Sequence, residues 1–233
     1  MLDVLRPLLE FGGLYLPEET LAKIKIFHDM LLDWNTRMDL TNVPEEEMPL
    51  RHYADSLLPL VKSDWFPEGS SLIDVGTGAG FPGLALAVAR PDLQVCLLEA
   101  LQKRCTFLTA VCDALGLSNV KVLHARAEDA ARENMREYYD IACARAVAPL
   151  RVLAEYLLPF VRTGGQALCW KGPSVEEELR EAKRALSILG GAPGERYPLP
   201  LAGVQLCVQA VTKKAATPAA YPRKAGTPKK KPL

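Results

Sequence analysis

No stretch of this 233-residue chain is long and apolar enough to cross a bilayer. Its beginning carries no basic region ahead of an apolar run, so a signal peptide is not expected either. Histidine is scarce: His28, His52 and His124 stand apart in the sequence. The six cysteines, Cys96, Cys105, Cys112, Cys143, Cys169 and Cys207, show no metal-ligand spacing, and most lie in apolar runs. That pattern speaks against a metal centre and a disulfide framework. It fits small core residues in a reducing, cytoplasmic compartment. Acidic residues are missing from one region. After Ala210 come seven of the 28 basic residues, Lys213, Lys214, Arg223, Lys224, Lys229, Lys230 and Lys231, and no Asp or Glu. The formal net charge is zero, so the rest of the chain is mildly acidic. A basic tail on an acidic body is either a solvated, disordered appendage or a contact for phosphate. The remaining composition, 49% hydrophobic and 24% charged, suits one sizeable globular domain that needs no staples.

The chain is organised around Leu72-Ile73-Asp74-Val75-Gly76-Thr77-Gly78-Ala79-Gly80-Phe81-Pro82-Gly83. A short apolar strand breaks into four glycines among small residues and resumes as a helix, Leu84 to Ala89. The glycines allow positive φ and a close approach to a ligand. The helix N-terminus is expected to offer unpaired N–H groups and a partial positive charge. Read from Gly78, the segment is G-x-G-x-x-G, a dinucleotide signature. Read from Asp74, it is D-x-G-x-G-x-G, which resembles motif I of Rossmann-like methyltransferases that bind S-adenosylmethionine. Glu99, at the end of the next strand, can accept both ribose hydroxyl hydrogens in either case. Asp74 tilts the choice toward S-adenosylmethionine, because a carboxylate is useful near an ammonium and pointless under a pyrophosphate.

Along the chain, Asp3 to Phe11 reads as a short helix stopped by Gly12-Gly13. Pro17-Glu18-Glu19 opens a longer one with Leu21, Ile24, Phe27, Leu31 and Trp34 on one stripe. A third helix is expected from Pro44 through Arg51-His52-Tyr53-Ala54-Asp55-Ser56-Leu57. On it Arg51 and Asp55 are i,i+4 partners; either they form a local ion pair, or Arg51 and His52 face a ligand or RNA. From Ser71 onward strands and helices alternate, which predicts a parallel sheet with helices on both faces. The strands are Ser71 to Val75, Gln94 to Leu98, Val120 to His124, Tyr139 to Ala144, Gln166 to Trp170 and Leu206 to Val211. Ser174-Val175-Glu176-Glu177 reads as a capping box opening a charged helix. The expected division is a helical N-terminal extension over 1–68, an α/β domain over 69–212 and a basic, Pro-rich tail over 213–233.

Such sheets bind ligands at the carboxyl ends of their strands. Past those ends come the glycine loop, Glu99, Ala125-Arg126-Ala127-Glu128, Arg145-Ala146-Val147-Ala148-Pro149 and Lys171-Gly172-Pro173. Arg126, Arg145 and Lys171 are expected to crowd one edge with Glu99 and Glu128. As ligand contacts rather than core, Arg145 and Lys171 should be removable without harm to the fold. Cations here can hold a cofactor carboxylate or a phosphate backbone, and Glu128 can meet an adenine amino group.

The order R-H-x-x-D-S (Arg51 to Ser56), D-V-G-T-G-A-G-F-P-G (Asp74 to Gly83), L-E-x-x-x-K-R (Leu98 to Arg104), R-A-E (Arg126 to Glu128), R-A-V-A (Arg145 to Ala148) and K-G (Lys171-Gly172) resembles one family. It is the RsmG, or glucose-inhibited division protein B, family of bacterial small-subunit ribosomal RNA guanine-N7 methyltransferases. The likeness runs from about Trp34 to the end, where Tyr221-Pro222-Arg223-Lys224 is similar to the tail of many members. It implies a class I, Rossmann-like methyltransferase fold with a seven-stranded, mostly parallel sheet and a helical N-terminal extension. It implies methyl transfer from S-adenosylmethionine to N7 of one guanine in 16S ribosomal RNA, guanine 527 in the family. By position, Asp74, Gly76, Gly78, Phe81 and Glu99 would line the cofactor, and Ala127 and Glu128 its adenine. Arg145 would lie against cofactor or substrate; Arg51, His52, Arg126, Lys171, Arg223 and Lys224 would face RNA. No residue is expected to act as a general base, because guanine N7 has a lone pair and no proton to lose. The chain also lacks the N-P-P-[YF] motif that amino-group methyltransferases use after the fourth strand. The expected partner is 16S RNA or the small subunit, met by a monomer. Tyr221 is expected to pin the tail to the body. Loss of the tail should weaken RNA binding and leave cofactor affinity alone. An NAD-dependent oxidoreductase and a non-catalytic RNA-binding assembly factor are the competing readings.

Overall fold

The computed structural model describes all residues except Ala202 and Val204. Helix α1 (Leu2–Phe11) and the longer α2 (Glu18–Asn35) come first, with Leu21, Ile24, Phe27 and Leu31 turned inward from α2. The third helix is wound differently from the expectation. An exposed 3₁₀ turn (Glu45–Glu47) leads into a π turn (Pro49–Ala54), the three-residue α3 (Asp55–Leu57) and another 3₁₀ turn (Leu58–Val61). A π turn closes its hydrogen bonds over five residues instead of four, which rotates the side chains that follow. Arg51 stays outside, 2.7 Å from Glu47, and Asp55 turns inward, so the Arg51–Asp55 pair does not form.

The α/β part then runs β1 (Ser71–Val75), α4 (Gly83–Ala89), β2 (Gln94–Glu99), α5 (Gln102–Leu115), β3 (Val120–His124), α6 (Ala127–Ala130) and β4 (Tyr139–Arg145). It continues with α7 (Leu150–Leu157), β5 (Val161–Lys171), α8 (Val175–Ile188), β6 (Gly191–Pro198), β7 (Cys207–Lys213) and α9 (Thr227–Lys230). The strands form one seven-stranded sheet in the order 3-2-1-4-5-7-6. Strands β1 to β5 are parallel, and β7 is antiparallel to both its neighbours. Strand β6 is the one that hydrophobic alternation does not announce. It holds Gly191, Pro193, Gly194 and Pro198 and pairs only with β7, at an edge, where a missing N–H spoils no second ladder. The capping box of α8 is not closed either: Ser174 Oγ donates to Glu178 Oε1 at 3.2 Å instead of capping the backbone.

Two cores lie on the two faces of the sheet. One gathers α1, α2, the π turn, α4 and α5 around Phe27, Tyr53, Phe81 and Phe107; the other gathers α7 and α8 around Leu153, Phe160 and Leu186. The N-terminal helices therefore share a core with the sheet. The basic tail is built into the molecule as well. Lys213 belongs to β7 and is fully buried; its ammonium donates to Leu158 O and Thr217 Oγ1 at 2.6 Å, with Glu137 at 3.1 Å. Arg136 donates to the carbonyls of Thr217, Pro218 and Tyr221, and Arg132 to that of Pro222. The expected boundary at 213 thus falls inside a strand, and the disordered alternative for the tail is not what the chain adopts.

Candidate active site

The carboxyl ends of β1 to β4 open onto a cleft with two lobes that share Gly76, Glu99 and Val147. The larger, about 360 Å³, runs over the glycine loop to Thr41, His52, Phe81 and Arg145. The smaller, about 240 Å³, runs under Ala127 and Glu128 to Tyr156 and Lys229. Two further clefts, about 390 and 410 Å³, sit at the opposite, amino ends of the strands around Gly69 and Asp140, away from every motif.

Gly76 and Gly78 make the loop possible. Both have positive φ, +72° and +61°. A Cβ on Gly76 would stand 3.1 Å from the Val147 side chain, whereas one on Gly78 would meet only the Gly76 carbonyl, at 4.0 Å. The loop thus presents bare backbone to the larger lobe. Val147 is held over it by Ala146, a non-glycine residue at φ +56°.

Asp74 supports the loop from beneath. It is fully buried, and its Oδ2 accepts the Gly83 N–H at 2.7 Å. Burial pushes its carboxyl up from 3.8 to about 6, against hydrogen bonding from Thr77 and Gly83. Oδ1 and the neighbouring Thr77 Oγ1 are buried with no well-formed partner. The next amides of the first helical turn, Leu84 and Ala85, return to the Gly80 carbonyl. The helix end expected to offer free N–H groups is therefore already occupied. Glu99 closes the floor: Oε2 accepts the Gly78 N–H at 3.1 Å and Oε1 the Leu101 N–H at 2.9 Å.

The far wall is an aromatic and cationic stack. His52 lies on Phe81, ring centroids 4.6 Å apart and 14° from parallel, and Phe27 stacks on Phe81 at 5.1 Å. The Arg145 guanidinium sits 5.2 Å from the Phe81 centroid. Arg145 Nη1 donates to Arg51 O at 2.7 Å and Asp55 Oδ2 at 2.9 Å, and Nη2 to His52 Nδ1 at 3.0 Å. Arginine can only donate, so His52 Nδ1 accepts, and Nε2–H donates to Thr41 Oγ1 at 2.8 Å. Burial, then the Arg145 charge, lowers the His52 imidazole to about 3. Burial raises the Asp55 carboxyl, against Arg145.

Comparison with known proteins places this arrangement. The family model GidB, rRNA small subunit methyltransferase G, matches residues 20–196. The chain belongs to the rRNA small subunit methyltransferase G family. The relative of that name from Alkaliphilus metalliredigens is 43% identical over 225 residues, covering 95% of this chain and 94% of its own. The Clostridium perfringens (strain 13 / Type A) relative is 41% identical over 235 residues, covering 99% and 98%. Among solved structures, a mutant of MtNAS in complex with S-adenosylmethionine superposes with a TM-score of 0.56 at 16% identity, over 83% of this chain and 75% of its own. At that identity it speaks for the fold, which is the Rossmann-like fold of class I methyltransferases.

The expected site residues divide. Gly76, Gly78, Phe81, Glu99, His52 and Arg145 line the larger lobe, and Arg126, Ala127 and Glu128 the smaller. Asp74 lies under the loop rather than in the cleft. The expected gathering of Arg126, Arg145 and Lys171 on one edge does not occur. Lys171 reaches neither lobe; its ammonium donates to Ala148 O at 2.8 Å and Glu178 Oε2 at 2.7 Å. Arg51 is exposed and pairs with Glu47. Arg223 is bound to Glu155 instead of facing outward, and Lys224 is exposed. Glu128 spends Oε1 on the Gly226 N–H at 2.8 Å. Motif reading missed Thr41, Val147, Tyr156 and Lys229. Val147 lay within the quoted R-A-V-A order and Lys229 within the basic tail; Thr41 and Tyr156 carry no signal of their own, because only the fold brings them to the cleft.

Proposed function

We propose that this chain transfers the methyl group of S-adenosylmethionine to N7 of a guanine in small-subunit ribosomal RNA, guanine 527 in the family. The observation that carries this reading is the larger lobe, over the glycine loop, in which no imidazole or carboxylate is left free among the described residues. His52 is the one imidazole lining either lobe among the described residues, and it is pinned on both nitrogens and neutral down to about pH 3. Both Glu99 oxygens hold backbone amides, and Asp74 is out of reach beneath the loop. An exocyclic amine or a ribose hydroxyl would need its proton removed; guanine N7 needs nothing removed.

The residues fit the cofactor. The space over Gly78 admits a ligand against bare backbone, and the smaller lobe, with Leu98, Val147, Ala127 and Tyr156, suits a flat base. Asp74 decides against a dinucleotide. It occupies the helix-end amide that a pyrophosphate would need, leaving a negative environment suited to a cation. When bound, S-adenosylmethionine supplies a methyl group activated by its sulfonium. Gly76 and Gly78 would hold that end of the cofactor against bare backbone, and Glu99 would be the residue to meet its ribose. The ordered wall of Phe81, His52 and Arg145 orients the incoming base and excludes water, so the rate gain comes from alignment. The N7 edge of A-form RNA is inaccessible in its deep groove, so the target guanine must be unpaired or flipped out. Exposed Lys224, Lys229, Lys230, Lys231 and Arg126 supply cations for the phosphate backbone. The enzyme acts as a monomer in the cytoplasm, on 16S RNA or the small subunit.

Calorimetry with S-adenosylmethionine and NAD, followed by transfer of labelled methyl to small-subunit RNA, tests this. Binding of S-adenosylmethionine alone and incorporation into RNA are expected; NAD binding without methyl transfer would overturn it. Cofactor and RNA binding without transfer would make the chain an assembly factor.

A further inference from the structure

Lys229 and Gly226 play no part in the methyl-transfer chemistry above, yet both line the smaller lobe, opposite the strand ends. Two carboxylates hold them there. Glu155 on α7, 1% exposed, accepts the Arg223 backbone N–H at 2.7 Å and its guanidinium at 2.6 Å. Glu128 accepts the Gly226 N–H at 2.8 Å. Pro222 and Pro228 are buried on either side of these points, and Arg132 and Arg136 grip the Pro222 and Tyr221 carbonyls. A tail that served only as a flexible cationic arm would need none of this anchoring, least of all a buried carboxylate reserved for it.

We propose that the segment from Tyr221 to Lys230 is a wall of the cofactor lobe, and that cofactor affinity depends on the Glu155–Arg223 and Glu128–Gly226 clasps that hold it in place. This rests on the reading of the cleft as a S-adenosylmethionine site. It reverses the expectation that losing the tail spares cofactor binding. Because the segment also carries the exposed lysines, one element serves both the cofactor lobe and the basic surface.

Full-length Gly226→Pro and Lys229→Ala variants test it. Gly226 has φ +79°, and a Cβ there would meet nothing within 4 Å. Proline removes the N–H and cannot hold that φ, so it opens the clasp without crowding the core. The Kd for S-adenosylmethionine should rise roughly tenfold or more in Gly226→Pro and about threefold in Lys229→Ala. The thermal midpoint without cofactor should move by no more than about 4 °C. By linkage, saturating cofactor should slow amide exchange in 221–230 of the parent protein, a readout that survives even if a variant folds poorly. Parental Kd in both variants, or exchange in 221–230 indifferent to cofactor, would overturn the inference while leaving the function intact. A parent protein that binds no S-adenosylmethionine would overturn both.

Discussion

At the scale of single residues, the site is governed by buried charges whose environments oppose one another. Asp74 has a folded-state pKa of about 6 against 3.8. The folded state therefore binds the extra proton between those values, and its stability falls as pH rises through that window. His52 works in the opposite sense. Its pKa is lowered from 6.5 to about 3, so its contribution is present above pH 6.5 and lost as pH falls. The difference between Asp74→Asn and the parent isolates the first effect. Denaturant titrations should show the variant gaining about 1–3 kcal/mol relative to the parent between pH 4 and 7. A difference that stays flat with pH would mean that Asp74 is not held in a desolvated place. Arg145 carries a second prediction. Its side chain is 16% exposed and that of its partner Asp55 is 6% exposed. Arg145→Ala should cost about 3–5 kcal/mol, because the carboxylate is left buried without its cation. Arg145→Lys should recover only part, since an ammonium cannot span Asp55, His52 and the Arg51 carbonyl as a fork does. Parental urea stability in Arg145→Ala would show the network to be ornamental.

At the scale of elements, the segments that position the site are the ones whose geometry departs from the regular pattern. The π turn directs His52 and Asp55 inward, and the loop after β4 sets Val147 above Gly76. Lys171 belongs to this scale: it ties the end of β5 to α8 and to the loop at Ala148. Lys171→Ala should therefore lower stability by about 3 kcal/mol as well as activity. Loss of activity at full thermal stability would return Lys171 to direct substrate contact. The difference between sequence and structure has the same origin. Strands β1 to β5, the glycine loop and Glu99 were legible because apolar runs and glycines act locally. Strand β6 was not, because its pairing with β7 overrides a poor local propensity. The i,i+4 logic for Arg51 and Asp55 failed where the helix winds with a different period. The strand-end rule put Arg126, Arg145 and Lys171 on one edge; the first two line the two lobes and Lys171 neither, because position past a strand does not say whether a cation meets a cleft or a neighbouring Glu178.

At the scale of the whole molecule, acidic body and basic tail are joined by partial neutralisation. Lys213 and Arg223 are consumed internally, which leaves Lys214, Lys224, Lys229, Lys230 and Lys231 exposed. Replacing Lys229, Lys230 and Lys231 by Gln should weaken RNA binding and lower the log–log salt slope by roughly 0.7–0.9 for each phosphate no longer neutralised. An unchanged slope would place the RNA elsewhere. The methyl group's position on the RNA separates N7 transfer from every other acceptor. N7-methylguanine is distinguished by chain scission after borohydride reduction and aniline treatment. Small subunits lacking the modification, incubated with the protein and S-adenosylmethionine, should show one new break at guanine 527. Methyl incorporation with no scission at any guanine, the outcome for an amino group or a ribose hydroxyl, would contradict a larger lobe built without a free base.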